Sequence, residues 1–235
     1  MPRITTIALD ADDTLWQNEQ FFRLTEQRFT DLLRDYTDAP DLTERLIAAT
    51  TRNLAFYGFG AKGFALSMVE TALDVTDHRV PGTVIAEIMA AGRELLNFPI
   101  ETLPYVDQAL GQLQARYRLI LVTKGDIFDQ ERKLAASGLA EYFAAVEVVA
   151  DKNEATYRRI FARHTEGPDH TLMAGNSLRS DILPPLAVGA FAVYVPHDLT
   201  WSYEHAEEPQ DEPRYARIDH LGQLPEALAR FEALP

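Results

Sequence analysis

Five short apolar runs, in which polar residues do not alternate with apolar ones, constrain the fold of this chain most strongly. They occupy residues 3–9, 118–124, 144–150, 171–175 and 190–196. Strands covered on both faces of a parallel sheet have this pattern, because neither face meets water. The later runs are separated by segments with helical periodicity, at about 105–116, 129–138, 154–164 and 180–189. The alternation predicts an α/β fold with a Rossmann-like parallel sheet and helices on both faces.

Residues 17–98 interrupt this alternation. They contain no convincing strand, and their helical stretches lie near 19–36, 42–56, 63–75 and 83–97. We therefore predict an α/β core made of residues 1–16 and 99–235, with a helical domain inserted over residues 17–98. A helical insertion directly after the first strand is well placed to act as a lid.

Composition excludes several functional classes. The chain of 235 residues has 22 Lys and Arg against 36 Asp and Glu, which gives a net charge of −14. A surface this acidic repels phosphate backbones and anionic membranes, so we expect no nucleic-acid or membrane partner. The absence of cysteine excludes disulfides and thiol catalysis. No apolar stretch is long enough for a membrane helix or a signal peptide, so we expect a soluble cytoplasmic protein, either a monomer or a homodimer.

The sequence Asp10-Ala11-Asp12-Asp13-Thr14 follows the first apolar run directly. Ligands of parallel α/β sheets bind at the carboxyl ends of the strands, which is where this segment lies. Three carboxylates there repel one another unless a cation lies among them, and oxygen ligands favour a hard ion such as Mg²⁺. An acidic turn that caps a helix explains the segment equally well.

Polar side chains at the later strand ends favour the first interpretation. Thr123 and Lys124 end the second run, and Lys152 follows the third. Asn176 follows the fourth run, with Asp181 five residues later. Each residue alone has an ordinary structural explanation, but their joint occurrence at neighbouring strand ends favours a single active site.

In the order and spacing of these four motifs the chain resembles the haloacid dehalogenase (HAD) superfamily, whose members are mostly phosphate-ester hydrolases. The resemblance spans residues 4–195, and the insertion resembles the helical cap that follows the first motif in that superfamily. It implies a HAD-like α/β core, Mg²⁺ as cofactor, and a small phosphorylated metabolite as substrate.

The resemblance also assigns roles to individual residues. Asp10 would be the nucleophile that forms an aspartyl-phosphate, and Asp12 would protonate the leaving alcohol and then activate water. Thr123 and Lys152 would complete the catalytic set. Phosphate and substrate binding would fall to Thr123 and Lys152. Lys124, the neighbour of Thr123, either assists phosphate binding or points outward. Mg²⁺ would be held by Asp10, the main-chain carbonyl of Asp12, Asn176 and Asp181.

Two departures from the superfamily pattern leave alternatives open. The fourth motif begins Gly175-Asn176 where Gly-Asp is usual. In the third motif, Lys152-Asn153-Glu154-Ala155 replaces the common Lys-Pro-x-Pro. Asn176 and Tyr157 are reminiscent of the metal-independent 2-haloacid dehalogenases, but those enzymes lack the second aspartate, which is present here as Asp12. Asp12 thus favours phosphate chemistry. A catalytically idle binding or regulatory protein is a third alternative, and Asn176 is its only support.

Two weaker signals complete the picture. Gly58-Phe59-Gly60-Ala61-Lys62-Gly63 matches a dinucleotide-binding pattern, but a helical segment precedes it where a strand is required. We interpret it as a connection between cap helices, from which Lys62 could reach the substrate. The acidic segment from His197 to Tyr215 is predicted to be a solvated loop, with Trp201 and Tyr203 as possible anchors.

Overall fold

The structure is a computed structural model that describes residues 4–234, so Arg3 of the first apolar run lies outside the described residues. The chain forms two compact units. One, the α/β unit, consists of residues 4–17 and 100–234, and the other, the helical unit, of Asn18–Pro99. The elements in chain order are β1 (Thr6–Leu9), α1 (Glu19–Leu33), α2 (Leu42–Tyr57), α3 (Ala61–Val75), α4 (Gly82–Leu95), α5 (Val106–Leu113), β2 (Arg118–Lys124), α6 (Ile127–Ser137), β3 (Ala145–Val149), α7 (Glu154–His164), β4 (Thr171–Gly175), α8 (Leu183–Ala187), β5 (Phe191–Tyr194), β6 (Tyr215–Arg217) and α9 (Leu224–Glu232).

A parallel sheet in the order β3-β2-β1-β4-β5-β6 forms the centre of the α/β unit. Every neighbouring pair of strands is parallel, which confirms the predicted fold class. Leu9, the last residue of β1, pairs with Leu121 of β2 on one side and with Ala174 of β4 on the other. The carboxyl ends of these three strands therefore lie side by side.

The apolar runs are continuous because both faces of the sheet are buried. Ile7 and Leu9 face one cluster, which includes Leu110 of α5. Ala8 faces the other, with Tyr157 and others on α7. A fully buried Leu, Ile or Phe side chain stabilises a fold by about 1.5–3 kcal/mol, so this alternation fixes the register of β1 strongly.

Two elements near the C-terminus were not predicted. Strand β6 is three residues long and lies at the edge of the sheet, next to β5. Helix α9 buries Leu224, Leu228 and Phe231, which are spaced as on one helical face. The helix predicted over 180–189 instead begins as a π-helical turn at Leu178–Ile182, before α8.

The helical unit has its own core, built from α1–α4. Phe29, Met68 and Ile88 are fully buried in it. Helices α3 and α4 approach so closely that a Cβ on Gly92 would lie 2.6 Å from the Ala65 Cβ. None of the helices between residues 4 and 234 combines the length and apolar character that crossing a membrane requires.

Candidate active site

The sheet order brings the predicted residues to one edge. Asp10 continues β1, and its N–H donates to the carbonyl of Ala174 in β4 at 2.9 Å. Asn176 directly follows β4, and Lys152 lies three residues beyond β3. The side chains of Asp10, Lys152, Asn176 and Asp181 are brought into direct contact through a shared hydrogen-bond network.

Lys152 bridges two buried carboxylates, and we call Asp10, Lys152 and Asp181 the inner cluster. Its Nζ contacts Asp10 Oδ1 and lies 2.7 Å from Asp181 Oδ1. The Lys152 and Asp181 side chains are each 1% exposed. Burial alone would lower the pKa of Lys152, but the two carboxylates outweigh it and raise that pKa above its usual value. Lys152 is therefore a permanent cation beside the Asp10 carboxylate.

Both oxygens of Asp181 have hydrogen-bond partners. Its Oδ2 accepts from the N–H of Ser177 at 3.0 Å, while Oδ1 contacts Lys152. A Cβ on Gly175 would lie 2.4 Å from Asp181 Oδ2, so glycine at 175 makes room for this carboxylate. Burial and the charge of Asp10 raise the pKa of Asp181, against the opposing effect of Lys152. Its predicted role as a metal ligand would require it to release one of these partners.

The second oxygen of Asp10 faces Thr14 and Asn176. Thr14 Oγ1 donates to Asp10 Oδ2 at 3.1 Å and accepts from the main-chain N–H of Asn176 at 3.1 Å. With its nitrogen turned inward, the Asn176 amide donates to Thr14 Oγ1, to Asp10 Oδ2 and to the main-chain carbonyl of Asp12, each at 3.2 Å. The amide has two protons to share among these three acceptors, and Thr14 keeps its single proton for Asp10 Oδ2.

The same atoms fit a hard cation when the amide turns its oxygen inward. The terminal amide atom of Asn176 lies 3.2 Å from both Asp10 Oδ2 and the Asp12 carbonyl. Neighbouring oxygens around an octahedral Mg²⁺ are about 3.0 Å apart, so an amide oxygen at this position is suitably spaced from the carboxylate and from the carbonyl. Among residues 4–234, no group of three or more His, Asp or Glu side chains is arranged to hold a metal ion. A cation here would depend on these three oxygens and carry one ligand charge.

The Asp12 side chain points to a second set of partners, and we call Asp12, Trp16, Gln130 and Lys133 the Asp12 cluster. Lys133 Nζ lies 2.9 Å from Asp12 Oδ1, and Gln130 Nε2 lies 2.7 Å from Oδ2. The fully buried indole of Trp16 donates to Oδ1 at 2.8 Å. Burial would raise the pKa of Asp12, but Lys133, Gln130 and Trp16 outweigh it and hold that pKa below its usual value. Asp12 is thus held as a carboxylate.

The remaining predicted residues take different places. The Thr123 hydroxyl is buried, and it lies 3.4 Å from the carbonyl of Lys124. Lys124 Nζ contacts Ser180 Oγ at 2.8 Å and Glu204 Oε1 at 2.5 Å. Lys62 is exposed on the first turn of α3, in the helical unit. In the glycine-containing pattern at 58–63, residues 58–60 connect α2 to α3, as interpreted from the sequence, and residues 61–63 form the first turn of α3.

The acidic segment after β5 differs from the predicted solvated loop. Glu204 has a side chain only 13% exposed, and its Oε2 accepts from Ser177 Oγ and Ser180 Oγ, both at 2.6 Å. Tyr203 lies under the guanidinium of Arg179, whose Cζ is 3.9 Å from the ring centroid. Burial would raise the pKa of Glu204, but Lys124 and the two hydroxyls outweigh it and lower that pKa. The segment is anchored at this point.

Sequence reasoning missed the partners of the predicted residues. Gln130 and Lys133 are one turn apart on α6. The sequence indicated only that they lie in the helix that follows β2. Thr14 was visible within the first motif but was given no catalytic role. Glu204 lay within a run of acidic residues, and nothing in the sequence distinguished it from its exposed neighbours.

Solved structures of similar proteins share this fold. A haloacid dehalogenase-like family hydrolase from Xanthomonas campestris is 36% identical, with a TM-score of 0.89 over 98% of this chain and 92% of its own. The HAD hydrolase YfnB from Bacillus subtilis, bound to magnesium, is 18% identical, with a TM-score of 0.69 over 97% and 99%. A 2-haloacid dehalogenase from Pseudomonas syringae pv. Tomato DC3000 is 22% identical, with a TM-score of 0.64 over 97% and 99%.

A comparison with curated proteins gives no significant match. The family model described as haloacid dehalogenase-like hydrolase matches residues 4–189, which include the helical unit, the α/β unit as far as α8, and all four motifs. Together with the Xanthomonas structure, this match confirms the resemblance drawn from the motifs. The chain belongs to the haloacid dehalogenase-like hydrolase family.

Proposed function

We propose that this hydrolase is a Mg²⁺-dependent phosphatase that cleaves small phosphate monoesters through an aspartyl-phosphate on Asp10. The observation that carries the proposal is the pair of aspartates after β1. Asp10 is fixed by Lys152 on one oxygen and by Thr14 on the other, and Asp12 stands two residues later as a second carboxylate. A nucleophile with an acid–base partner is what hydrolysis of a phosphate ester requires.

Asp10 attacks phosphorus with one carboxylate oxygen while the bond to the leaving alcohol breaks. Lys152 offsets the negative charge of Asp10 and of the phosphoryl oxygens that approach it. Phosphoryl transfer depends mainly on alignment and charge neutralisation, so a buried cation 1% exposed beside the nucleophile supports the proposal. Thr123, buried at the end of β2, is proposed to donate to a phosphoryl oxygen.

Asp12 serves both halves of the proposed reaction. It protonates the leaving alcohol first and then accepts a proton from the water that attacks the phosphorus of the aspartyl-phosphate. Lys133 and Gln130 favour its ionised form, which suits the second half. For the first half Asp12 has to take up a proton, so we expect substrate to displace at least one of these partners.

Mg²⁺, when bound, would neutralise charge on the transferred phosphoryl group. Asp10 Oδ2, the Asp12 carbonyl and Asn176 Oδ1 would hold it, with the amide turned from the orientation that it adopts as a donor. The magnesium reported with YfnB supports the choice of metal, by analogy of fold. A small phosphorylated metabolite is proposed as the substrate, as the resemblance to the superfamily implies.

A second candidate function is metal-independent dehalogenation of a 2-haloacid. One observation favours it: the Asn176 amide can donate to Asp10 Oδ2 and to the Asp12 carbonyl, so these oxygens are satisfied without a cation. Asp10 would then attack carbon and release halide, which needs no acid. The presence of Asp12 is the reason that we place phosphate chemistry first.

Hydrolysis of p-nitrophenyl phosphate tests the proposal, with the protein assayed in MgCl₂, in excess chelator and as the Asp10→Asn variant. We expect phosphate release that requires Mg²⁺ and disappears in the variant. The same three preparations are then given 2-chloropropionate. Halide release that is unaffected by chelator, together with no phosphate release from aryl or metabolite esters, would replace the phosphatase by the dehalogenase.

A further inference from the structure

The carboxylate of Glu204 is bound as a ligand would be. Oε1 accepts a hydrogen bond from the ammonium of Lys124 at 2.5 Å. Oε2 accepts from the hydroxyls of Ser177 and Ser180, both at 2.6 Å. The Lys124 and Glu204 side chains are 12% and 13% exposed, so water contributes little. One cation and two hydroxyl donors surrounding a single carboxylate make a complete oxyanion site.

The three donors are held in place by groups other than Glu204. Ser177 Oγ accepts from the N–H of Ser180 at 3.0 Å, and Ser180 Oγ accepts from Lys124 Nζ at 2.8 Å. Since each hydroxyl already receives a donor, its own proton is directed toward the carboxylate. The donors would keep this arrangement if Glu204 left.

Glu204 itself belongs to a less regular part of the chain. Between β5 and β6 the structure has only one short 3₁₀ turn, Ser202–Glu204. By contrast, Lys124 ends β2, and Ser177 and Ser180 belong to the turn after β4, next to Asn176 and Asp181. A rigid set of donors at the catalytic edge is thus filled by a side chain from a loop.

We propose that Lys124, Ser177 and Ser180 form a carboxylate-binding subsite beside Asp10, and that Glu204 fills it in place of an external carboxylate. That carboxylate belongs either to the substrate or to a separate small effector. In the first case, which rests on the proposed function, the substrate is a phosphate ester that also carries a carboxylate. Binding would require the 201–204 segment to withdraw Glu204.

Acetate is the probe for the site itself, and the readout is thermal unfolding, which is independent of activity. Glu204→Ala empties the subsite, so we expect acetate at tens of millimolar to raise its unfolding midpoint by about 2–4 °C beyond an equal concentration of NaCl. Glu207→Ala removes an exposed carboxylate from the same segment and is the matched control, with no acetate effect. Adding Lys124→Met to Glu204→Ala should abolish the effect.

Glu204→Ser, which leaves a small hydroxyl in the subsite, is the second variant if the alanine variant does not fold. Equal responses to acetate and NaCl in both emptied variants would overturn the proposal. So would an acetate effect of the same size in Glu207→Ala, because it would show non-specific stabilisation.

Kinetics then distinguish the two sources of the carboxylate. Carboxymethyl phosphate and ethyl phosphate are compared as substrates of the wild type and of Lys124→Met. If the subsite binds the substrate, the ratio of the two KM values changes about tenfold in the variant. If it binds an effector, the ratio is unchanged and acetate alters the turnover of both esters in Glu204→Ala. Turnover of neither ester would count against the phosphatase, while the acetate result would still decide the subsite.

Discussion

Two lysine–aspartate clusters lie at the carboxyl edge of the same sheet, and they differ chiefly in burial. In the inner cluster, Lys152 is 1% exposed between two carboxylates. In the Asp12 cluster, the side chains of Lys133 and Asp12 are 11% and 22% exposed. Removing a partner from a dry cluster leaves an unpaired buried charge, whereas water can replace a partner at a wetter one. The inner cluster should therefore govern both folding and chemistry, and the Asp12 cluster mainly chemistry.

Lys152→Met should give the largest effect. It leaves the carboxylates of Asp10 and Asp181 buried together without a cation, so we expect unfolding to become easier by about 3–5 kcal/mol. Phosphate release by the remaining folded protein should fall by about 10²–10³-fold, because a positioned charge is lost. Urea denaturation at pH 7 measures the first effect and the aryl phosphate assay the second. Wild-type stability in this variant would contradict the description of a dry inner cluster.

Asn176→Asp sharpens the comparison by adding a charge beside the inner cluster. The new carboxylate cannot donate to Asp10 or to the Asp12 carbonyl, so in chelator we expect a loss of about 1–3 kcal/mol in stability. Mg²⁺ should restore that stability and should stabilise the variant more than the wild type, because two charged ligands replace one. Unfolding midpoints in chelator and in MgCl₂ measure both. If Mg²⁺ does not change the unfolding midpoint of the variant, these three oxygens are not the metal site.

Lys133→Met should destabilise the protein by only about 1 kcal/mol, since Gln130, Trp16 and water still satisfy Asp12. The same urea experiment on Lys152→Met and Lys133→Met compares the loss of unfolding free energy at the two clusters. A double-mutant cycle with Asp12→Asn isolates the pair interaction. Equal losses in the two lysine variants would show that burial does not separate the clusters.

An effect as small as that of Lys133→Met is expected at Glu204, where it depends on pH. Its pKa is lower in the folded protein than the ordinary value of 4.5, so the ionised carboxylate stabilises the fold above that pH. This stabilisation is lost as pH falls through the folded-state pKa. The stability difference between wild type and Glu204→Gln should thus be largest at pH 7, about 1 kcal/mol, and should shrink below about pH 4.5. A stability difference between the two proteins that stays constant from about pH 7 to about pH 3.5 would refute this prediction.

The sequence was sufficient to predict which residues meet at the sheet edge. Asp10, Lys152 and Asn176 each follow an apolar run, and parallel strands bring their carboxyl ends together whatever the details of packing. The helices of the insertion were also readable, although α1 ends at Leu33, three residues before the predicted end. Helix α9 was readable in principle, because Leu224, Leu228 and Phe231 follow helical spacing.

The orientations and partners of these residues could not be predicted. Whether Asp12 faces Asp10 or Lys133 depends on how α6 lies behind β2, which no local pattern encodes. The Asn176 amide has two orientations with different partners, and its hydrogen-bond network decides between them. Glu204 reaches Lys124 and the hydroxyls of Ser177 and Ser180 from a loop that the contact between Tyr203 and Arg179 anchors. This is a long-range contact, and no periodic pattern in the sequence indicates it.

The most direct test of the central role of Asp10 is a single turnover in H₂¹⁸O with enzyme in excess over p-nitrophenyl phosphate. In the proposed reaction water attacks phosphorus, so ¹⁸O should appear in inorganic phosphate while the peptide that contains Asp10 stays unlabelled by mass spectrometry. Rapid acid quenching should also reveal that peptide carrying a phosphoryl group. Unlabelled phosphate, or phosphate released equally fast by Asp10→Asn, would contradict the account.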